Sequence, residues 1–214
     1  MKNYRSRNDE LKSKLNSHLH KMTGLKTDFY SALKHEDILD LKTVLSDINN
    51  LLTFKLTLAA GAWIGDYFSL NENEKQLILN KIDSIKPNEQ GFDILIQQPI
   101  KLIAEVKCNI PVKQGSKFGA MQAKKLLEDV EKLLSGKKQL RETDSFLKFV
   151  FVIDLGKRSS DAVLDLVRIH KINKENEERL NRNVLREQMI ILNKNDQPEN
   201  LRYDKVYIKV LELK

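Results

Sequence analysis

The sequence predicts an α/β protein, a mixed β-sheet flanked by helices and preceded by an N-terminal helical segment. Three observations predict it. Apolar residues recur at three- and four-residue spacing through the first part of the chain. From Gly91 onward that period gives way to short β-type runs separated by helical ones. The run from Phe149 to Ile153 is wholly apolar and has the length of a strand buried on both faces.

The elements follow in order. Residues 1–22 form a polar helix, with Leu11, Leu15, Leu19 and Met22 as a narrow apolar stripe. Residues 36–58 form a second helix with a broader face built from Ile38, Leu41, Val44, Leu45, Ile48, Leu51 and Leu52. Residues 53–68, rich in Leu, Ala, Gly and aromatics, predict a buried helix, and 73–85 a short one with Leu77, Ile78 and Ile82 inward. Pro87 and Gly91 bracket a turn. Residues 92–97 and 100–107 then read as a hairpin closed at Gln98-Pro99. After a loop over 109–119, residues 120–134 form an amphipathic helix stopped by Gly136. Strand 146–154 leads to a helix that Ser159 or Ser160 can cap, with Val163, Leu164, Leu166 and Val167 in it. A charged helix over 175–186 and two short strands, 188–192 and 206–213, complete the pattern. The expected division is a helical segment, 1–50, and a compact domain, 51–214.

Composition narrows the function. The chain has 214 residues, 31% of them charged, and a net charge of +7, which favours a polyanionic partner such as nucleic acid. No apolar run approaches the roughly 20 residues that cross a bilayer, and the charged N-terminus lacks the apolar middle of a signal peptide. The single cysteine, Cys108, excludes an internal disulfide framework and a thiolate zinc cage. A cytoplasmic protein without a membrane partner is expected.

One constellation carries chemistry. Glu105 and Lys107 are two apart on a strand and so share a face. The hairpin turn brings Asp93 toward them. Two carboxylates and an ammonium then converge at a sheet edge, where hard oxygen ligands suit Mg²⁺ and a lysine can orient a water. Acid–any–lysine triplets also begin at Glu10, Asp40 and Glu212. The first two lie on helices, where such residues do not share a face. Glu212 ends the chain with nothing after it to wall a site.

Asp93 followed by Glu105-Val106-Lys107 resembles the PD-(D/E)XK motif of restriction-endonuclease-like nucleases. The order hairpin, helix, buried strand over about 50–155 is similar to that superfamily's core. The resemblance implies a restriction-endonuclease-like mixed β-sheet and Mg²⁺-dependent hydrolysis of DNA phosphodiesters, with Mn²⁺ able to substitute. It implies Asp93 and Glu105 as metal ligands, Lys107 as the catalytic lysine and the Val106 main-chain carbonyl as a further ligand. Residue 92 is Phe where the motif has Pro. Many members add an acid from the preceding helix, for which Asp66 is the first candidate and Glu74 and Glu89 stand behind it.

Lys113, Lys117, Gln122, Lys124 and Lys125 are candidates for DNA contact. Gln122 reads equally as a helix first-turn residue, and the loop lysines as solubilising charges. The expected enzyme is a sequence-specific type II restriction endonuclease, a homodimer on double-stranded DNA. The rivals are a junction-resolving, repair or defence nuclease of the same fold, and a non-catalytic DNA-binding protein. Walker-type, dinucleotide-binding and nucleophile-elbow motifs do not occur.

Overall fold

A computed structural model describes residues 3–84, 91–112, 116–169 and 177–213, with the backbone alone for 177–180. The expected turn over 87–91 lies largely outside the described residues. The chain divides into two compact units, Met1–Asn50 and Leu51–Lys214.

The first unit holds α1 (Tyr4–Thr23), α2 (Phe29–Ala32) and the opening turns of α3 (His35–Tyr67). Asn3 caps α1 by accepting from Ser6 N–H at 2.9 Å, and Gly24 ends it in the left-handed region. The short α2 is absent from the sequence expectation. Asp28 makes it, capping Ser31 N–H while also taking Lys12 at 2.6 Å and Asn16 at 2.8 Å. Those partners hold its carboxyl well below the usual carboxylate range.

The two helices expected over 36–68 are one continuous α3. No proline interrupts the stretch, so the hydrogen-bonded ladder runs on while the environment of its side chains changes. Ile38, Leu45, Ile48 and Leu51 are exposed, whereas Leu56, Ala60 and Ile64 are fully buried. The change in composition near Thr53 marks that change of environment and not a helix end.

In the second unit a five-stranded sheet has the order β1-β2-β3-β5-β4. β1 (Ile94–Ile96) is antiparallel to β2 (Leu102–Lys107), with Ile94 opposite Ala104. β2, β3 (Leu147–Ile153), β5 (Val206–Leu211) and β4 (Met189–Ile191) run parallel to their neighbours. The mixed α/β sheet read from the sequence is therefore present. Each parallel connection passes through helices or long loops, as parallel pairing requires.

Side-chain alternation splits the core into two layers. Leu102, Ala104 and Val106 of β2 face Leu56, Ala60 and Ile64 of α3 and Ile78 and Ile82 of α4 (Glu72–Ser84). Ile103 faces the other layer, with Leu126, Leu127, Val130 and Leu133 of α5 (Ala120–Ser135) and Ala162, Val163 and Leu166 of α6 (Lys157–Val167). Leu185 of α7 (Glu177–Glu187) packs on that second layer. By the same alternation Glu105 and Lys107 point toward the α5 side.

Neither expected serine caps α6, which begins at Lys157 after Gly156. Ser159 Oγ instead accepts from Leu155 N–H at 3.0 Å and donates to Ile153 O at 2.8 Å, tying the helix to the end of β3. A turn of 3₁₀ helix, Pro198–Asn200, precedes β5. Among the described residues no helix is long and apolar enough to cross a membrane.

Candidate active site

The site is built on the last three residues of β2. Glu105 is 4% exposed, an uncommon burial for a carboxylate unless it is paired. It is paired twice. Lys107 Nζ lies 3.2 Å from Glu105 Oε2, and Lys137 Nζ lies 2.6 Å from Glu105 Oε1.

Asp93 lies one residue before β1, not within the strand as expected. Its carboxylate replaces the strand ladder at that point. The register that pairs Ile94 with Ala104 would set Phe92 opposite Val106, but Val106 N–H donates to Asp93 Oδ2 at 2.7 Å. A side chain has taken a main-chain partner, so the strand is short and the acid is fixed. The Val106 carbonyl faces the same sheet edge as its N–H.

Burial raises the Glu105 carboxyl above its usual range, and the Asp93 charge raises it further, against the pull of Lys107 and Lys137. Burial alone would lower Lys107, but the carboxylates of Glu105, Asp129 and Asp93 more than offset it and lift the ammonium above its ordinary value. Lys107 is therefore a firmly charged group, held at its second end by Asp129 Oδ2 at 2.9 Å.

Asp66 is exposed on α3 and pairs with Lys75 at 2.8 Å, and it is not among the charges that act on Glu105. Glu74 is used locally: it accepts from Asn71 N–H at 3.0 Å while Asn71 accepts from Glu74 N–H at 3.0 Å, a reciprocal cap on α4. Glu89 and Lys113 lie outside the described residues. Gln122 takes the structural role left open for it. Its Oε1 accepts from Gly119 N–H at 2.9 Å and its Nε2 donates to Ile110 O at 3.3 Å, which seats the start of α5. Lys117 pairs with Asp165 at 2.8 Å. Lys124 and Lys125 are exposed on α5, with Lys124 3.9 Å from Glu128. Cys108 packs with the α3 layer, and burial pushes its thiol up, away from nucleophile behaviour.

Two site residues escaped the sequence reading. Asp129 had a visible signal: a carboxylate on the apolar face of α5, between Leu126 and Val130 on one side and Leu133 on the other. It is 8% exposed. Lys137 had none, because it follows the Gly136 helix stop and reaches Glu105 only through the tertiary fold. Lys137 Nζ also donates to Gly91 O and stands 4.6 Å from the centre of the Phe92 ring.

The donor set can be tested against a metal. Among the described residues no group of three or more His, Cys, Asp or Glu side chains is placed to hold an ion. Two neighbouring carboxylates, one of them buried and raised first by that burial and then by the other's charge, nevertheless fit Mg²⁺. That ion keeps several waters and is commonly bound by one or two carboxylates together with substrate phosphate. Asp93, Glu105 and the Val106 carbonyl would hold it. Comparison with protein-family models, with curated proteins and with solved structures found no match.

Proposed function

We propose that this chain is a Mg²⁺-dependent DNA endonuclease with a restriction-endonuclease-like fold. The observation that carries the reading is the buried Glu105 on one strand face with Lys107, beside an Asp93 whose carboxylate is locked onto the Val106 main chain. A buried carboxylate beside a second acid is costly to fold, and a divalent cation between them would offset that cost. When bound, the metal stabilises charge on the phosphate and lowers the pKa of a bound water. Asp93 and Glu105 position that site, and Lys107, fixed by Asp129, directs its ammonium at the same face to orient the water and meet developing negative charge.

The proposed enzyme is a sequence-specific type II restriction endonuclease working as a homodimer on double-stranded DNA in the cytoplasm. The basic balance, +7, supports a polyanionic substrate. The exposed Ile38, Leu45 and Ile48 of α3 are spaced as an apolar stripe and support pairing with a second copy. Exposed Lys124 and Lys125, together with Lys117, are the proposed backbone contacts.

One observation favours the second reading, DNA binding without cleavage. Both Glu105 oxygens are engaged by lysines. Digestion of phage and plasmid DNA with Mg²⁺, Mn²⁺ or EDTA separates the two. Discrete metal-dependent fragments are expected. A metal-dependent smear, or cutting confined to branched DNA, would replace the restriction enzyme by a repair or junction nuclease. Salt-sensitive binding with no cutting of linear or branched DNA would favour the binding protein.

A further inference from the structure

We propose that Lys137 is a cationic placeholder: its ammonium occupies the place beside Glu105 Oε1 in the metal-free protein and leaves when a divalent cation binds. The inference rests on the metal site proposed above and concerns how that site is loaded.

The two lysines on Glu105 are not equivalent. Lys107 has a second carboxylate, Asp129 at 2.9 Å, and stands off Glu105 Oε2 at 3.2 Å. Lys137 has no carboxylate partner besides Glu105 among the described ion pairs, and holds Oε1 at 2.6 Å. Its other partners are the Gly91 carbonyl and the face of Phe92. A carboxylate oxygen and a main-chain carbonyl are the donors that a hard cation also takes. The Lys137 ammonium is therefore seated as a small cation would be.

Release needs only the side chain to move, because the Lys137 main chain is tied to Leu140, donating to its carbonyl at 2.9 Å and accepting from its N–H at 3.0 Å. Lys137 follows Gly136, whose φ is +87°, and lies on the connection from α5 to β3, outside either element. Its Nζ reaches the site on a flexible four-carbon stem, whereas Lys107 is fixed within β2. A dication arriving at Asp93 and Glu105 removes the charge that holds the ammonium, and like charges then repel. The released ammonium remains beside the site, where it meets the anionic phosphate of bound DNA. Lys137 thus competes with the metal for Glu105 and, once released, is a phosphate contact. Competition of this kind lowers apparent metal affinity by the fraction of molecules whose site is open.

The test measures metal binding and lysine exposure on the full chain, without DNA and without turnover. By isothermal titration calorimetry at mildly alkaline pH, Lys137→Met, which keeps the stem on Phe92 but removes the charge, is expected to bind Mn²⁺ about tenfold tighter than wild type. Adding Glu105→Gln abolishes binding in either background. In wild-type protein, acetylation of Lys137 read by mass spectrometry is expected to rise several-fold when Mn²⁺ is added, with Lys107 unchanged. Equal or weaker Mn²⁺ binding by a folded Lys137→Met, or Lys137 acetylation that ignores Mn²⁺, overturns the placeholder and leaves the metal site standing. Absence of Mn²⁺ binding from wild type and variant alike overturns both.

Discussion

Lys107 Nζ lies 2.9 Å from Asp129 Oδ2, a contact that joins the last residue of β2 to the body of α5. The lysine is thereby held between two carboxylates, Asp129 and Glu105, and its ammonium is aimed and charged before any substrate arrives. Preorganisation of this kind spares the reaction the cost of ordering a flexible side chain.

Asp129→Asn keeps the shape of that contact and removes its charge. Cleavage is expected to fall by about 10- to 100-fold, the usual effect of losing an outer partner of a site residue. The loss should appear in kcat, with KM for DNA little changed, because Asp129 acts on Lys107 and not on the substrate. Steady-state kinetics on a short duplex check it, and an unchanged kcat would remove Asp129 from the site.

Gly136→Ala tests the segment that delivers Lys137. An added Cβ at position 136 would stand 2.4 Å from the Arg141 carbonyl oxygen, on a backbone with φ of +87°. Neither strain can be relieved without moving the loop. Destabilisation of about 1–3 kcal/mol is expected, together with faster acetylation of Lys137 in the metal-free protein. Urea titration and mass spectrometry measure the two effects.

Lys148 is a different kind of buried lysine. It is 1% exposed, and its Nζ donates to Thr143 O at 2.7 Å, Phe146 O at 3.0 Å and Tyr203 O at 2.6 Å. It ties the approach to β3 to the approach to β5. Lys148→Met takes the ammonium from the Phe146 and Tyr203 carbonyls, while Thr143 O keeps Phe146 N–H at 3.0 Å, and is expected to cost about 2–3 kcal/mol. The urea midpoint should fall with an unchanged slope. A cost well under 1 kcal/mol would mean that water satisfies those carbonyls as well as the ammonium does.

Tyr67 makes stability depend on alkaline pH. Its Oη is buried without a hydrogen-bond partner among the described residues, and burial first, then the charges of Asp196, Tyr207 and Glu199, push the hydroxyl from 10.0 up to about 12. Between those values the unfolded chain has lost the proton that the folded chain keeps. The folded state therefore binds more protons, and stability falls as pH rises through that window. Tyr67→Phe should flatten the fall and add about 1 kcal/mol at neutral pH, because it removes an unsatisfied polar atom. Chemical denaturation across pH measures both.

The parts of the molecule legible in the sequence are those whose signal is local. Alternation around Ile103 and Glu105, and the apolar run Phe149–Ile153 of β3, were readable because strand period and burial act within a few residues. Glu105 and Lys107 were readable as one face of one strand for the same reason. Asp93 was readable only as a residue of the facing chain, one position off its true place. Its side chain replaces a main-chain bond, and no periodic pattern records that. The continuity of α3 was hidden because its apolar composition changes with environment while its backbone does not. Lys137 and Lys148 were invisible for a third reason. Each is an ordinary surface-type residue in sequence and acquires its role from carbonyls and carboxylates supplied by distant segments.

Asp93, Glu105 and Lys107 are proposed to form a metal-dependent DNA-cleaving site. The most direct test compares the rate of linearising a phage DNA substrate in Mg²⁺ for wild type, Glu105→Gln and Lys107→Ala, each verified as folded by circular dichroism. Mg²⁺-dependent cutting by wild type is expected, with a loss of about 10³-fold or more in both variants, of the size seen when a charge-stabilising group is removed. Metal-dependent cutting at the wild-type rate in either variant would contradict the proposal.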